Sequence, residues 1–226
     1  MVKGKEKEKE KEHKVIGLHS FCNRKNMICC SFCREIRHLN RHVFSIVGAH
    51  GVGKSYLVSR LCNMFDNASA LNEVVRDVPF PKEINGKQSL RATEWIHEEH
   101  IRRLIEIILA NREAKEHIII CDRSEYDPYL YYLNKNDFPG VVNEFKDIVS
   151  DEFDNKPYKH HIILLDDNIH DNAKNDDFRA NDMRFFNEKR IMFYHFFTKC
   201  FDDILIVSRE TDIREIVDWI NNKVKM

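Results

Sequence analysis

The stretch that decides the fold reads Val43-Phe44-Ser45-Ile46-Val47-Gly48-Ala49-His50-Gly51-Val52-Gly53-Lys54-Ser55. The apolar run His42–Val47 predicts a buried strand, and the apolar spacing over Gly53–Phe65 predicts a helix after it. Between these two elements, Gly48–Ser55 matches the pattern G-x-x-x-x-G-K-[ST] at every fixed position. The motif therefore has the strand–loop–helix context that a phosphate-binding loop requires.

The residue types of this loop suit an anion. A Cβ atom would obstruct a backbone that wraps closely around phosphate, which explains Gly51 and Gly53. Lys54 offers a point charge to the β- and γ-phosphates, and Ser55 offers a hydroxyl to Mg²⁺. We predict an ATP site, with GTP as a possible substitute, formed by Gly48, Ala49, His50, Gly51, Val52, Gly53, Lys54 and Ser55. His50 fills a variable position and has no separate role, and the alternative is a glycine-rich turn without a ligand.

Apolar runs alternate with amphipathic segments along the rest of the chain. Strands are predicted to begin at Val74 and to cover His117–Cys121, Tyr158–Leu165 and Ile204–Val207. Helices are predicted over Ala92–Leu109, Arg179–Phe197 and Ile213–Val224. Continuous apolar strands that alternate with helices indicate an α/β fold, in which a parallel five-stranded sheet is covered by helices on both faces.

Length and charge limit the classes of protein. The 226 residues suit one compact domain at 42–226, preceded by a charged, cysteine-rich arm at 1–41. The 36 basic and 37 acidic residues give a net charge of −1, which argues against bulk electrostatic binding to nucleic acid or to an anionic membrane. No stretch approaches the roughly 18 apolar residues of a membrane span. The odd number of cysteines and the lack of a secretory signal predict a cytoplasmic protein.

Soft metal ligands lie in the arm and at the first residue of the predicted strand that follows it. They are Cys22, Cys29, Cys30, Cys33, His38 and His42. The gap between the cysteine pair and the histidine pair is shorter than in ordinary zinc fingers, so zinc binding and a metal-free arm both stay open.

A second acidic site follows the third predicted strand, which ends in Asp122-Arg123-Ser124. The carboxylate of Asp122 can hold Mg²⁺ together with Ser55, or it can accept a proton from an attacking hydroxyl. Arg123 can bind phosphate in a bidentate manner. The alternative is a turn at a strand end that Asp122 merely closes.

The Asp122-Arg123-Ser124 segment resembles the Asp-Arg or Glu-Arg-Ser pair of thymidylate kinases and deoxynucleoside kinases. A wider resemblance, over about Val43 to Lys223, is to P-loop proteins that include the AAA-like domain of nicotinamide-riboside kinase and archaeal and viral ATP-binding proteins. The segments that carry it are Arg76–Pro81, Trp95-Ile96, Cys121–Ser124, Asp127, Tyr129 and Tyr131. Thr93 and His100 depart from the group, which often has Gln near both positions. The resemblance implies a three-layer P-loop NTPase fold with strand order 2-3-1-4-5.

The resemblance also implies roles on the acceptor side. In such kinases the end of the second strand faces the acceptor, so Arg76, Asp77, Arg123 and Asp127 are expected to bind substrate. Arginines after the fourth strand approach the transferring phosphoryl group, which singles out Arg179 and Arg184. Ordinary surface charge is the alternative for these residues.

The sequence as a whole predicts a Mg-dependent kinase that transfers the γ-phosphoryl group of ATP to a small nucleoside- or nucleotide-like acceptor. The catalytic residues are expected to be Lys54, Asp122, Arg123, Arg179 and Arg184. The alternative is a nucleotide-operated switch with slow hydrolysis that acts through a protein or lipid partner. Asn134–Asp137 spells N-K-x-D, a guanine-reading signature, but its predicted helical neighbourhood disfavours that reading.

Overall fold

Five parallel strands form the sheet in the computed structural model, which describes residues 41–80, 88–114, 116–155, 158–168 and 182–225. The strands are β1 (Arg41–Val47), β2 (Ala68–Leu71), β3 (His117–Asp122), β4 (Lys159–Leu165) and β5 (Ile204–Val207). Their order is β2-β3-β1-β4-β5, and every neighbouring pair is parallel. The predicted topology is therefore confirmed.

Helices connect the strands. They are α1 (Lys54–Cys62), α2 (Leu90–Ala110), α3 (Asp127–Tyr132), α4 (Phe138–Asn155), α5 (Met183–Cys200) and α6 (Ile213–Lys225), with a short 3-10 helix at Val74–Asp77. Helices α1, α2, α5 and α6 lie within a few residues of their predicted bounds, whereas α4 occupies a stretch without a prediction. None of these described helices combines the length and apolar character that crossing a bilayer requires.

Both faces of the sheet are covered, because neighbouring side chains on a strand point in opposite directions. On one face, Phe44 of β1 packs in a core cluster with Leu61 of α1 and Ile220 of α6. On the other face, His160 of β4 contacts the ring of Phe201, which follows α5. Because all five strands are parallel, their carboxyl ends lie at one edge of the sheet, between the two layers of helices.

The position of the second strand was predicted wrongly. Val74 lies in the 3-10 helix, and β2 is formed by the weakly apolar segment Ala68–Leu71. Val74 is buried in a small cluster with Val78 and Ile96, which explains an apolar residue outside the sheet. Pairing with β3 makes Ala68–Leu71 a strand, and the segment itself carries little strand signal.

A histidine pair between β1 and β4, in which His42 is buried and His161 is half-buried, should make stability depend on pH. The Nδ1 atom of His42 lies 3.1 Å from Nε2 of His161, and the two rings are stacked. Burial lowers the pKa of His42 to about 4, helped by Lys159, and burial lowers the pKa of His161 to about 4, helped by His42. Both histidines therefore gain protons more readily in the unfolded chain.

We expect the free energy of unfolding to be fully retained above the unfolded histidine pKa of about 6.5 and to fall as pH drops towards 4. Urea unfolding at about pH 7.5 and about pH 5, followed by tryptophan fluorescence, measures this loss. In His161→Phe, which removes one of the two groups, the loss between these pH values should be smaller than in the wild type. An equal loss in both proteins would contradict the role of the pair.

Candidate functional site

The loop at Gly48–Ser55 joins β1 to α1, and its three glycines Gly48, Gly51 and Gly53 all have positive φ. Gly48 and Gly53 show two different reasons for glycine. Gly48 has φ +142°, and a Cβ atom there would lie 2.4 Å from the backbone oxygen of Leu165 at the end of β4. Gly53 has φ +107° with open space around it, so only its backbone conformation demands glycine. Close approach of β4 thus shapes one end of the loop, and backbone geometry shapes the other.

A crowded glycine and an unhindered helical glycine should respond in opposite ways to alanine. Gly48→Ala should destabilise the protein by about 2–5 kcal/mol, because the new Cβ meets backbone that cannot move away. Gly140→Ala is the control: this exposed residue of α4 has nothing within 4 Å of its Cβ position, so a gain of about 0.5–1 kcal/mol is expected. Urea unfolding of both variants measures the contrast, and equal stabilities would contradict it.

Lys54 begins α1, and its ammonium group lies within the loop. Its Nζ donates to the backbone oxygens of Gly48, at 2.9 Å, and Ala49, at 2.6 Å. Burial, reinforced by the nearby Arg123 charge, lowers the Lys54 pKa to about 7. A lysine in this position favours an anion beside it, because the anion would stabilise its charged form.

Ser55, the last residue of the loop, meets Asp122 at the end of β3. The Oγ atom of Ser55 donates to Oδ2 of Asp122, whose carboxylate is buried at the end of β3. The other oxygen, Oδ1, is buried without a hydrogen-bond partner. A hydroxyl and a carboxylate with a spare buried oxygen fit Mg²⁺, a cation that prefers oxygen ligands and retains water. The described residues hold no group of three or more His, Cys, Asp or Glu side chains arranged for a metal ion, so these two would share it with phosphate and water.

Arg123 lies next to Asp122 in a strained conformation. Its φ of 90° is positive although it carries a side chain, and its N–H donates to the oxygen of Ile46 at 3.0 Å. Strain of this kind persists where the surroundings hold a residue in place, and it concentrates at functional sites. The conformation ties the end of β3 to the end of β1, just before the phosphate-binding loop.

The guanidinium of Arg123 is enclosed by acidic and hydroxyl groups. Its Nε donates to Oε1 of Glu73 at 2.6 Å, and one terminal nitrogen donates to Oδ2 of Asp127 at 3.4 Å and to the hydroxyl of Tyr131 at 3.2 Å. Burial opposes its charge, but Tyr131, Glu73 and Asp127 outweigh burial and raise the Arg123 pKa well above its usual range. Arg123 is therefore a permanent cation, and three partners fix the orientation of its guanidinium group.

Asp127 lies behind Arg123. It is 0% exposed, and it accepts hydrogen bonds from the backbone and the hydroxyl of Ser124. Burial raises its pKa to about 6, against the opposing charge of Arg123. Asp127, which the sequence predicts to bind substrate, is therefore a buried hydrogen-bond acceptor for Arg123 in the structure.

The other predicted acceptor residues lie towards the surface. Arg76 has a half-exposed side chain whose Nε is 3.5 Å from Oε2 of Glu73. Asp77 is 53% exposed and accepts from Arg103 of α2 at 2.7 Å. Glu73 falls in the same segment of the sequence, for which the sequence favours Asp77 as the acceptor residue, but Glu73 is the carboxylate that is buried against Arg123. It lies two residues after the end of β2 at Leu71.

Of the two predicted lid arginines, Arg184 lies among the described residues. Arg184 lies in the first turn of α5 with an exposed side chain, and its N–H donates to Asp182. Arg179, the cysteines and histidines of the arm up to His38, and Pro81 lie outside the described residues. The N-K-x-D segment Asn134–Asp137 falls in the turn between α3 and α4, so the helical neighbourhood predicted for it is confirmed.

A cleft of 690 Å³ runs from the phosphate-binding loop to the segment after β5. Lys54, Ser55, Glu73 and Asp122 all line it. Its far wall includes Ser208, Arg209, Thr211, Ile213 and Ile216. No sequence motif marks Arg209, whose backbone and side chain both donate to Asp167 after β4. One cleft therefore joins the glycine-bent loop to the buried carboxylate of Glu73.

Together, the glycine-bent loop, the Asp122 carboxylate and the 2-3-1-4-5 sheet define a P-loop α/β protein. The family model described as AAA domain matches residues 43–207, and the chain belongs to this family. Among curated proteins, none matches the sequence significantly.

Solved structures share the fold at low identity. A deoxyadenosine kinase from M. mycoides, solved with the products dCMP and dCDP, is 15% identical with a TM-score of 0.52, covering 81% of this chain and 98% of the kinase. A NadR protein in complex with NAD and AMP-PNP is 16% identical with a TM-score of 0.56 over 86% of this chain. A NadR protein in complex with NR is 17% identical, also with a TM-score of 0.56. This chain spans 52% and 54% of the two NadR chains, so the likeness concerns one part of them.

Proposed function

We propose that this protein is a Mg-dependent kinase that transfers the γ-phosphoryl group of ATP to a hydroxyl of a nucleoside-like acceptor. The observation that carries the proposal is the buried pair of Glu73 and Arg123, which adjoins the same cleft as Lys54 and Asp122. We assign the catalytic unit to residues 42–226, with the arm at 1–41 outside it. We place the enzyme in the cytoplasm, where the free thiols Cys62, Cys121 and Cys200 would stay reduced.

On the ATP side, the loop amides and Lys54 would bind the β- and γ-phosphates. Lys54 would exchange its two loop carbonyls for phosphate oxygens, which restore the charge that burial disfavours. Ser55 and Asp122 would hold Mg²⁺, which when bound neutralises the phosphate charge that develops during transfer. GTP would fit the same phosphate contacts.

On the acceptor side, Glu73 would accept the hydroxyl proton as the acceptor oxygen forms its bond to the γ-phosphorus. The bond from that phosphorus to the bridging oxygen of ADP breaks, and ADP leaves. Arg123 would orient Glu73 and the acceptor oxygen, because its Nε already holds one oxygen of the carboxylate. Arg184 is a candidate for added positive charge near the phosphoryl group, as the sequence predicts for it and for Arg179.

The charges around Arg123 favour a neutral acceptor. Glu73 and Asp127 together carry more negative charge than the single guanidinium between them compensates, while the nearby charges of Asp122 and Lys54 offset each other. A nucleoside monophosphate would bring about two further negative charges to this place. A nucleoside hydroxyl brings none, so we propose a nucleoside-like acceptor in preference to a nucleotide.

The experiment is a panel of nucleosides, nucleoside monophosphates and nicotinamide riboside with labelled ATP, run on the wild type and on Lys54→Met. Label on a nucleoside-like acceptor with the wild type alone supports the proposal. Label on monophosphates alone would overturn the choice of acceptor. Tight nucleotide binding without label on any acceptor would favour the nucleotide-operated switch.

A further inference from the structure

Helix α5 carries a buried lysine that the proposed reaction does not use. Lys189 is 2% exposed, and its Nζ donates to the backbone oxygens of Leu130, at 2.8 Å, and Leu133, at 2.6 Å. Burial lowers its pKa to about 8. A buried ammonium is costly, and a methionine would fill similar space without that cost. Stability alone therefore gives a weak reason for a lysine at this position.

Leu130 and Leu133, whose backbone oxygens accept these two hydrogen bonds, lie at the carboxyl end of α3. Helix α3 has six residues, too few to persist without tertiary contacts. The last carbonyls of a helix lack partners within the helix and form the negative end of its dipole. A cation that binds two of them fixes where α3 ends relative to α5.

Helix α3 supplies two of the three partners of Arg123. Asp127 is its first residue, and Tyr131 lies on its last turn. A shift of α3 would move both groups and release one terminal nitrogen of the guanidinium. Since Arg123 has a strained backbone, its orientation depends on contacts of this kind.

Helix α5 also touches the phosphate-binding loop. The rings of Phe185 and Phe186 contact His50, with centroids 5.8 Å and 5.6 Å apart. One helix therefore contacts both the loop that would hold ATP and, through Lys189, the helix that holds Arg123.

We infer that Lys189 is a positioning residue that holds Arg123 in register with the phosphate-binding loop by fixing the carboxyl end of α3. The consequence for transfer rests on the proposed function, whereas the effect on Arg123 does not. The charge and the multiple donors of Lys189 are what the position requires.

The test compares Lys189→Met with Lys189→Arg and with Lys199→Met, a control at an exposed lysine on the last turn of the same helix. The first measurement is hydrogen exchange of the Arg123 Nε–H by ¹⁵N NMR, with the signal assigned through Arg123→Lys. We expect exchange at least about 10-fold faster in Lys189→Met, because the bond to Glu73 opens more often. Lys189→Arg, which keeps the charge and donors, and Lys199→Met should stay near the wild type.

The second measurement is the kinetics of transfer to a nucleoside that the wild type phosphorylates. Lys189→Met should lower kcat/KM for the acceptor by about 10²-fold, with KM for ATP changed by less than about two-fold. Exchange in Lys189→Met within about two-fold of the wild type would overturn the inference, whatever its stability. If Lys189→Met does not fold, Lys189→Gln takes its place under the same criteria. A wild type that phosphorylates nothing contradicts the proposed function, while the exchange measurement still decides the role of Lys189.

Discussion

Replacing Lys54 with methionine is expected to abolish phosphoryl transfer. The side chain keeps its length but loses the charge that would leave the carbonyls of Gly48 and Ala49 for phosphate. We expect Kd for MgATP to rise at least about 10-fold and turnover to fall about 10²–10³-fold. Calorimetric titration with MgATP and the labelled-ATP assay measure the two effects.

The same substitution should leave the fold intact. Methionine removes two hydrogen bonds but also removes a buried ammonium whose pKa burial has lowered to about 7, so the two effects oppose each other. The melting temperature should therefore change by less than about 4 °C. Lys199→Met is the matched control and should keep wild-type affinity and turnover. A Lys54→Met protein that binds MgATP as the wild type does would contradict the phosphate site.

Glu73→Gln is expected to have the second large effect, because it removes the proposed proton acceptor while preserving shape. The amide can still accept from Arg123, but it cannot take a proton from a hydroxyl. Turnover should fall by about 10²–10⁴-fold. Kd for MgATP should stay within about two-fold, since Glu73 lies on the acceptor side of the cleft.

Asp77→Asn is the matched control for Glu73→Gln. It makes the same chemical change four residues away, at an exposed carboxylate paired with Arg103. Transfer should stay within about two-fold of the wild type, and stability should change by less than about 1 kcal/mol. The reverse pattern, with Asp77→Asn inactive and Glu73→Gln active, would restore the acceptor role that the sequence predicts for Asp77.

The contrast between these two carboxylates follows from one misplaced strand. The apolar pair Val74-Val75 resembles a strand more than Ala68–Leu71 does, and placing β2 there moves the end of the strand towards Asp77. In the structure Leu71 pairs with Cys121, so Glu73 follows the true end of β2 and reaches Arg123, the residue just after the neighbouring strand β3. An edge strand with small side chains has little signal of its own, because its pairing with β3 makes it a strand.

The sequence by itself determined the glycine-bent loop between β1 and α1, the Asp122-Arg123 pair at the end of β3 and four of the five strands. These features depend on neighbours within a few residues: glycines that allow the loop backbone, a lysine and serine that follow them, and apolar runs that end in polar residues. Only the tertiary structure decided which groups surround Arg123 and how α5 reaches α3. Glu73 and Arg123 are 50 positions apart, and Lys189 and Leu130 are 59 apart. Contacts over such separations are set by strand pairing and helix packing, which no local pattern of residues records.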